Sequence, residues 1–282
     1  MALPGEPSMR ILIHIAAALF IASPSFAGGT PSGDNTQVAK FRYQSALTAS
    51  REAVGRRISD WRFTDAGGMT VAMEDLRGRP LVVSLVFTSC HAVCPTTTRY
   101  LDRIIDKARD TLGQDDFRVA LIGFDHANDS PLAMKQYAKS HGVDDAGWLL
   151  LSADADTIAG FTREIGFSWF TSPSGFDHVT QVTVLDGDGV VYRQVYGDAF
   201  GTRALVDPLM ELVYDRRRDE GGLVDDLVTR VRAFCTAYDP VRDAYYFDYS
   251  LFIGMIIGGT IILVTIAVMI REVRVARRQR QA

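Results

Sequence analysis

The chain has 282 residues, with 30 Lys and Arg against 34 Asp and Glu, for a net charge of −4. A balance this close to neutral excludes the basic footprint of a nucleic-acid-binding protein. Its three cysteines are too few for a disulfide scaffold, and an odd number outside the cytoplasm leaves at least one thiol for chemistry or for packing.

Residues 1–27 carry Arg10, an apolar core from Ile11 to Ile21, and then Ser-Pro-Ser-Phe-Ala before Gly28. This is the charged, apolar and small-residue order of a secretory signal, with cleavage expected after Ala27. The apolar core is short for a membrane span, and an uncleaved anchor is the alternative. Residues 28–57 open with Gly-Gly-Thr-Pro-Ser-Gly-Asp-Asn and read as a flexible, polar lead-in.

A folded domain is expected over residues 58–216, about 160 residues and ample for one core. Hydrophobic periodicity predicts strand 81–88, helix 96–112, strand 118–124, helix 131–141, strand 148–152, helix 155–165, strands 180–185 and 190–196, and helix 202–216. Strands alternating with helices predict an α/β layer around a central, largely parallel sheet. The last two strands flank Asp186-Gly187-Asp188-Gly189, whose glycines supply the positive φ of a tight hairpin. A charged break at 216–222 precedes residues 223–250, read as an amphipathic helix over 223–237, with Val224, Leu227, Val228, Val231, Phe234 and Cys235 on one stripe, and a juxtamembrane segment.

Leu251 to Ile270 then runs 20 residues without a charge, the length of a transmembrane helix. Arg271, Arg274, Arg277, Arg278 and Arg280 follow against a single Glu272, which places the 271–282 tail on the cytoplasmic side and the main domain outside it. Tyr238, Tyr245, Tyr246, Phe247 and Tyr249 crowd the approach to the span, as an interfacial belt or a packed juxtamembrane turn. With a bacterial signal the expected location is the periplasmic face of the inner membrane, single-pass, where dithiols tend toward oxidation.

The chemistry centres on Phe87-Thr88-Ser89-Cys90-His91-Ala92-Val93-Cys94-Pro95, between a buried strand and a helix. Pro95 suits the first helical position, which places Cys94 near the N-cap, where unpaired N–H groups and the helix dipole lower a thiol pKa. Two thiols this close either form a disulfide or hold a metal, and spacing alone does not separate the two. A metal needs further ligands. His14 leaves with the signal, and His141, before Gly142, reads as a helix C-terminal residue. His91, His126 and His178 remain open as candidates. Two thiolates with one imidazole suit Cu(I), whereas structural zinc calls for four ligands. Cys235, on its apolar stripe, reads as a packing residue.

These residues resemble the SCO/SenC family of copper-binding, thioredoxin-fold assembly factors for cytochrome c oxidase. The matching elements are Phe87-Thr88-x-Cys90-x-x-x-Cys94-Pro95, Asp125 with Asp129-Ser130-Pro131, Tyr137-Ala138, and Asp177-His178 ahead of the Asp186–Gly189 hairpin, over roughly residues 58 to 200. The resemblance implies an α/β fold with a thioredoxin-like central sheet and flanking helices, here followed by the C-terminal transmembrane helix. It also implies copper, as Cu(I) or Cu(II), bound by Cys90, Cys94 and His178 and delivered to the binuclear copper site of cytochrome c oxidase subunit II, with a thiol reductant keeping the cysteines competent. His126 stands where relatives usually carry Pro, and the C-terminal anchor departs from the N-terminal tether of many relatives. The enzymatic alternative is a thiol–disulfide reductase, with Cys94 as the low-pKa thiol and Cys90 as its partner. A peroxiredoxin-like reading is weaker, because the Thr that family needs would fall at His91.

Overall fold

The computed structural model describes residues 32–91, 93–143, 147–173, 175–220, 227–228, 230–231, 235–240 and 242–281. The expected signal, residues 1–27, and part of the expected 223–237 helix lie outside them.

A seven-stranded mixed sheet forms the centre, in the order β2-β1-β5-β4-β3-β8-β9. Its strands are β1 (Arg62–Asp65), β2 (Thr70–Ala72), β3 (Leu81–Val86), β4 (Arg118–Gly123), β5 (Trp148–Ser152), β8 (Gln181–Leu185) and β9 (Val191–Tyr196). Strands β3, β4 and β5 run parallel, while β8 lies antiparallel to β3 and turns back through the predicted hairpin into β9. In that turn the Asp186 carboxylate accepts from the Asp188 and Val190 N–H groups. Every residue of β3 and β8 is buried, as expected of strands covered on both faces, which therefore read as continuous apolar runs.

The helices are α1 (Ser32–Glu52), α2 (Val93–Leu112), α3 (Pro131–Ser140), α4 (Ala155–Glu164), α5 (Thr202–Glu220) and α6 (Ser250–Gln281). Helix α2 buries Leu101, Ile104, Ile105 and Ala108, the i, i+3, i+4, i+7 set of a core-facing stripe. It packs on α5, which covers β8 and β9, while α3 covers β5. Ser130 caps α3 by accepting from the Ala133 N–H, Pro131 occupies its first turn, and Gly142 terminates it at φ +78°. Asp154 caps α4 through the Thr157 N–H.

Several expectations need correction. The lead-in is helical from residue 32 to 52, and Ala46, Ser50 and Ala53 are buried, with the Ser50 hydroxyl 3.0 Å from Tyr196 OH. The charged break at 216 does not end α5, which continues to Glu220. The helix expected over 223–237 gives way at Thr236 to an antiparallel hairpin of β10 (Thr236–Asp239) and β11 (Ala244–Phe247). The short strands β1 and β2, and the separate hairpin β6 (Trp169–Ser172) and β7 (Gly175–His178), were not expected from the sequence, because three or four residues carry too little alternation to register.

The β10–β11 hairpin is fixed by Asp243. Its carboxylate accepts from Lys107 Nζ at 2.6 Å, Tyr238 OH at 2.6 Å and Thr202 Oγ1 at 2.9 Å, and Tyr245 OH donates to Asp207. Three residues after β11, helix α6 begins. Within it Phe252–Glu272 has a mean hydropathy of 2.6 with none of that stretch buried, which makes it long and apolar enough to cross a membrane.

The hydrogen bonds from Lys107 and Tyr238 hold the Asp243 carboxyl down at about 2. A carboxylate depressed in the folded state adds stability above its unfolded pKa near 3.8 and loses it as pH falls toward 2. Amide hydrogen exchange across the hairpin, corrected for the intrinsic effect of pH, is therefore expected to speed up over that window. Asp243→Asn is expected to show the faster exchange already at pH 6, with little further change on acidification.

Candidate metal centre

The site lies at the C-terminal ends of β3 and β4, the edge at which parallel α/β sheets present their functional groups. Its frame is a carboxylate. Asp129 is 2% exposed, and its Oδ1 accepts from the Thr88 N–H and Thr88 Oγ1, both at 2.7 Å. Its Oδ2 accepts from the Asp125 N–H at 2.9 Å. Burial pushes the Asp129 carboxyl up, while these three bonds pull it down. Gly123, the last residue of β4, lets the carboxylate approach, since a Cβ there would lie 2.4 Å from Asp129 Cβ. The loop leaving β3 is thereby pinned to the loop leaving β4.

From that anchored start the chain makes a tight turn, with the Cys90 N–H donating to the Phe87 carbonyl at 3.0 Å. Helix α2 begins at Val93, two residues earlier than the expected start at Pro95, whose missing N–H costs nothing anywhere in the first turn. Cys94 consequently sits inside the helix, seven residues before Leu101 and on the same core-facing stripe. It is only 4% exposed, and burial pushes its thiol up. The expectation of a low-pKa Cys94 is therefore overturned, because desolvation outweighs the helix N-terminus. Cys90 is half-buried, and the Cys94 N–H points at its Sγ at 3.4 Å, a donor suited to a sulfur carrying negative charge. Neither thiol is in a disulfide.

His178 ends β7 inside an aromatic box. Its ring centroid lies 5.2 Å from Phe167, 5.6 Å from Phe124 and 6.3 Å from Phe87. Burial pushes the imidazole down, which keeps it neutral. Its Nδ1 is 3.1 Å from the Val179 carbonyl; that bond assigns the proton to Nδ1 and leaves the Nε2 lone pair as the metal-binding atom. Gly175 seats this hairpin, since a Cβ there would approach Phe87 to 2.9 Å. Phe87 thus touches both parts of the site, through its carbonyl to Cys90 and its ring to His178.

These three residues occupy one end of the sheet, yet among the described residues no three His, Cys, Asp or Glu side chains converge tightly enough to hold a metal ion. The two thiols are neighbours, the Cys94 thiol hydrogen-bonding Cys90, while His178 stays packed in its ring box. The other histidines lie elsewhere. His126 is exposed, in the loop that leaves β4. His91 and His141 line a cleft that Thr88 and Cys90 also line. Cys235 is buried, as a packing residue would be. The aromatic box was missed from the sequence, although Phe167 and Trp169, two apart just ahead of His178, carried its signal.

The SCO1/SenC family model matches residues 49–213, more than half of the chain, and the chain belongs to this family. Solved structures agree on the fold. A crystal structure from Aquifex aeolicus VF5, described as a candidate electron transfer protein, is 27% identical with a TM-score of 0.53, covering 61% of this chain and 98% of its own. A SCO1/SenC family lipoprotein from Bacillus anthracis str. Ames is 21% identical with a TM-score of 0.51, covering 56% and 95%. Arabidopsis thaliana ScoI, solved with copper bound, is 17% identical with a TM-score of 0.50, covering 56% and 98%. No curated protein matches the chain in sequence. The thioredoxin-like α/β architecture expected from the sequence is the one observed.

Asp129→Ala strands the Thr88 and Asp125 donors in a buried pocket. The expected loss is about 3 kcal/mol, read as a lower urea midpoint at unchanged m-value, with Cys90 alkylated faster by iodoacetamide as its loop loosens.

Proposed function

We propose that the chain is a membrane-tethered copper chaperone, in which Cys90, Cys94 and His178 hold a copper ion as cargo and pass it to the binuclear copper site of cytochrome c oxidase subunit II. The observation that carries this reading is the state of His178. A neutral imidazole with Nδ1 committed to Val179 leaves Nε2 free to bind a metal, and its ring packs on Phe87, whose carbonyl holds the Cys90 turn. Two soft sulfurs and one imidazole match Cu(I). Family membership supports the same assignment, as does the copper-bound Arabidopsis relative.

The Cys94 thiol already hydrogen-bonds Cys90, so loading requires His178 and that pair to close on one another. The loop and the hairpin are the movable parts, since the Asp129 anchor lies one step back from them. Transfer follows by stepwise exchange, with an incoming pair of target cysteines displacing the three ligands. A Cys90–Cys94 disulfide would remove two of those ligands, so a thiol reductant is the second partner. In this reading the N-terminal signal directs export, α6 spans the inner membrane, and the arginine-rich end stays in the cytoplasm. The soluble domain then faces the periplasm.

Reductase chemistry at the same sulfurs is the second reading, favoured by the Cys94 N–H donated to Cys90 Sγ. It makes Cys90 the attacking thiol, not Cys94, and is indifferent to His178.

Full-length chain in detergent, reduced and loaded with Cu(I) under competition from a chelator, is expected to retain about one copper ion per chain. Cys90→Ser, Cys94→Ser and His178→Ala are each expected to lose most of it, on the order of tenfold or more in affinity. His178→Ala with undiminished copper and intact disulfide-reducing activity would move the assignment to the reductase.

A further inference from the structure

The cleft beside Cys90 has its own chemistry. It encloses about 620 Å³ and runs from Cys90 and His91, across Pro95, to Arg99, Gln136 and His141. That volume is in the range of small-molecule sites. Among the described residues, no carboxylate lines it. Arg99, one helical turn beyond Pro95 and on the same face of α2, forms no ion pair among the described residues. His141 is held by its ring against Tyr137, centroids 4.4 Å apart, and its buried Nδ1 has no hydrogen-bond partner. Tyr137 is itself fixed by Thr98 at 3.0 Å. The helical wall of the cleft therefore presents a guanidinium with no ion pair among the described residues and the His141 imidazole, while Cys90 and His91 line it from the loop. Cys94, by contrast, does not line this space, so a molecule in the cleft reaches only Cys90.

We propose that this cleft is the docking site of the reductant, and that it selects a small thiol bearing a carboxylate, with the carboxylate on Arg99 and His141 and the sulfur on Cys90. The inference rests on the redox-gated copper reading and names the partner that resets it. The thiolate of the bound molecule attacks Cys90 Sγ of the oxidised pair. A new disulfide forms between that sulfur and Cys90, the Cys90–Cys94 bond breaks, and its electron pair leaves on Cys94, which then takes up a proton. A second molecule of the same thiol attacks the small-molecule sulfur of the mixed disulfide and releases Cys90 as thiolate. Two thiols become one small disulfide, and the protein gains the two electrons. Guanidinium and carboxylate meet bidentately, and a cleft lined by one sign of charge raises the local concentration of its counter-ion.

The test uses oxidised full-length chain in detergent, reduced by 3-mercaptopropionate, 2-mercaptoethanol or cysteamine. Each rate is divided by that thiol's rate with a small neutral disulfide, which cancels differences in sulfur reactivity. The anionic thiol is expected to outpace the cationic one by about tenfold in this corrected ratio, and 0.5 M salt should shrink the gap. Arg99→Glu should abolish or invert the preference, Arg99→Lys should keep most of it, and Arg99→Glu should load copper like wild type. Equal corrected rates for the three thiols, a preference that survives Arg99→Glu with His141→Gln, or a cysteine pair that cannot be oxidised would each overturn the inference. A wild-type chain that shows the thiol preference yet takes no copper would instead contradict the chaperone reading.

Discussion

The carboxylate of Asp129, held by Thr88 and by Asp125, is the constraint on which the site depends. Parallel strands end side by side, and the loops that leave them have no ladder of their own to fix their relation. A buried acceptor shared by both loops supplies that relation. It works because Gly123 has no Cβ to block it and because the remaining bonds around it, Asn128 to Asp125 among them, leave few polar groups unpaired. Everything beyond Thr88, the turn at Cys90 and the first turn of α2, starts from this fixed point. A rigid base with movable ligands suits a protein that must both hold a metal and surrender it.

The same logic explains the unequal thiols. Cys94 belongs to the helix and is carried into the core by the stripe that includes Leu101 and Ala108, whereas Cys90 belongs to the turn and stays within reach of solvent. An incoming group meets Cys90 first. At the other end of α2, Lys107 lies about 20 Å from Cys94 along the helix axis and holds Asp243 of the juxtamembrane hairpin. A single helix thus joins the site at its N-terminus to the proposed membrane tether near its C-terminus. Tyr245 on Asp207 adds a second fastening to α5.

Much of this was legible in the sequence. The long apolar runs of β3, β4 and β8 and the stripe of α2 gave their elements to within a few residues, because burial on both faces of a sheet and on one face of a helix leaves distinct periods. The family resemblance named His178, which residue type and spacing had left open beside His91 and His126. The reason for that choice is topological. Strand β8 pairs antiparallel with β3, Ser84 opposite Val182, and the Phe87 ring just beyond β3 meets the His178 ring just before β8. No local pattern encodes a sheet order. The low pKa expected for Cys94 failed for a related reason, since the helix N-terminus is a local feature while the burial that overrides it comes from α2 packing on the sheet and α5. The helix over 32–52 was obscured by its polar start, and the β10–β11 hairpin by aromatic residues that fit a membrane interface equally well.

The central claim is that the neighbouring thiols of Cys90 and Cys94 and the imidazole of His178, not yet one ligand set in the metal-free arrangement, become one around copper. X-ray absorption on the reduced, Cu(I)-loaded full-length chain tests it most directly. The account predicts a first shell of two sulfurs and one imidazole nitrogen, with the imidazole contribution lost in His178→Ala. A shell of sulfur alone, or an imidazole signal that survives that substitution, would contradict it.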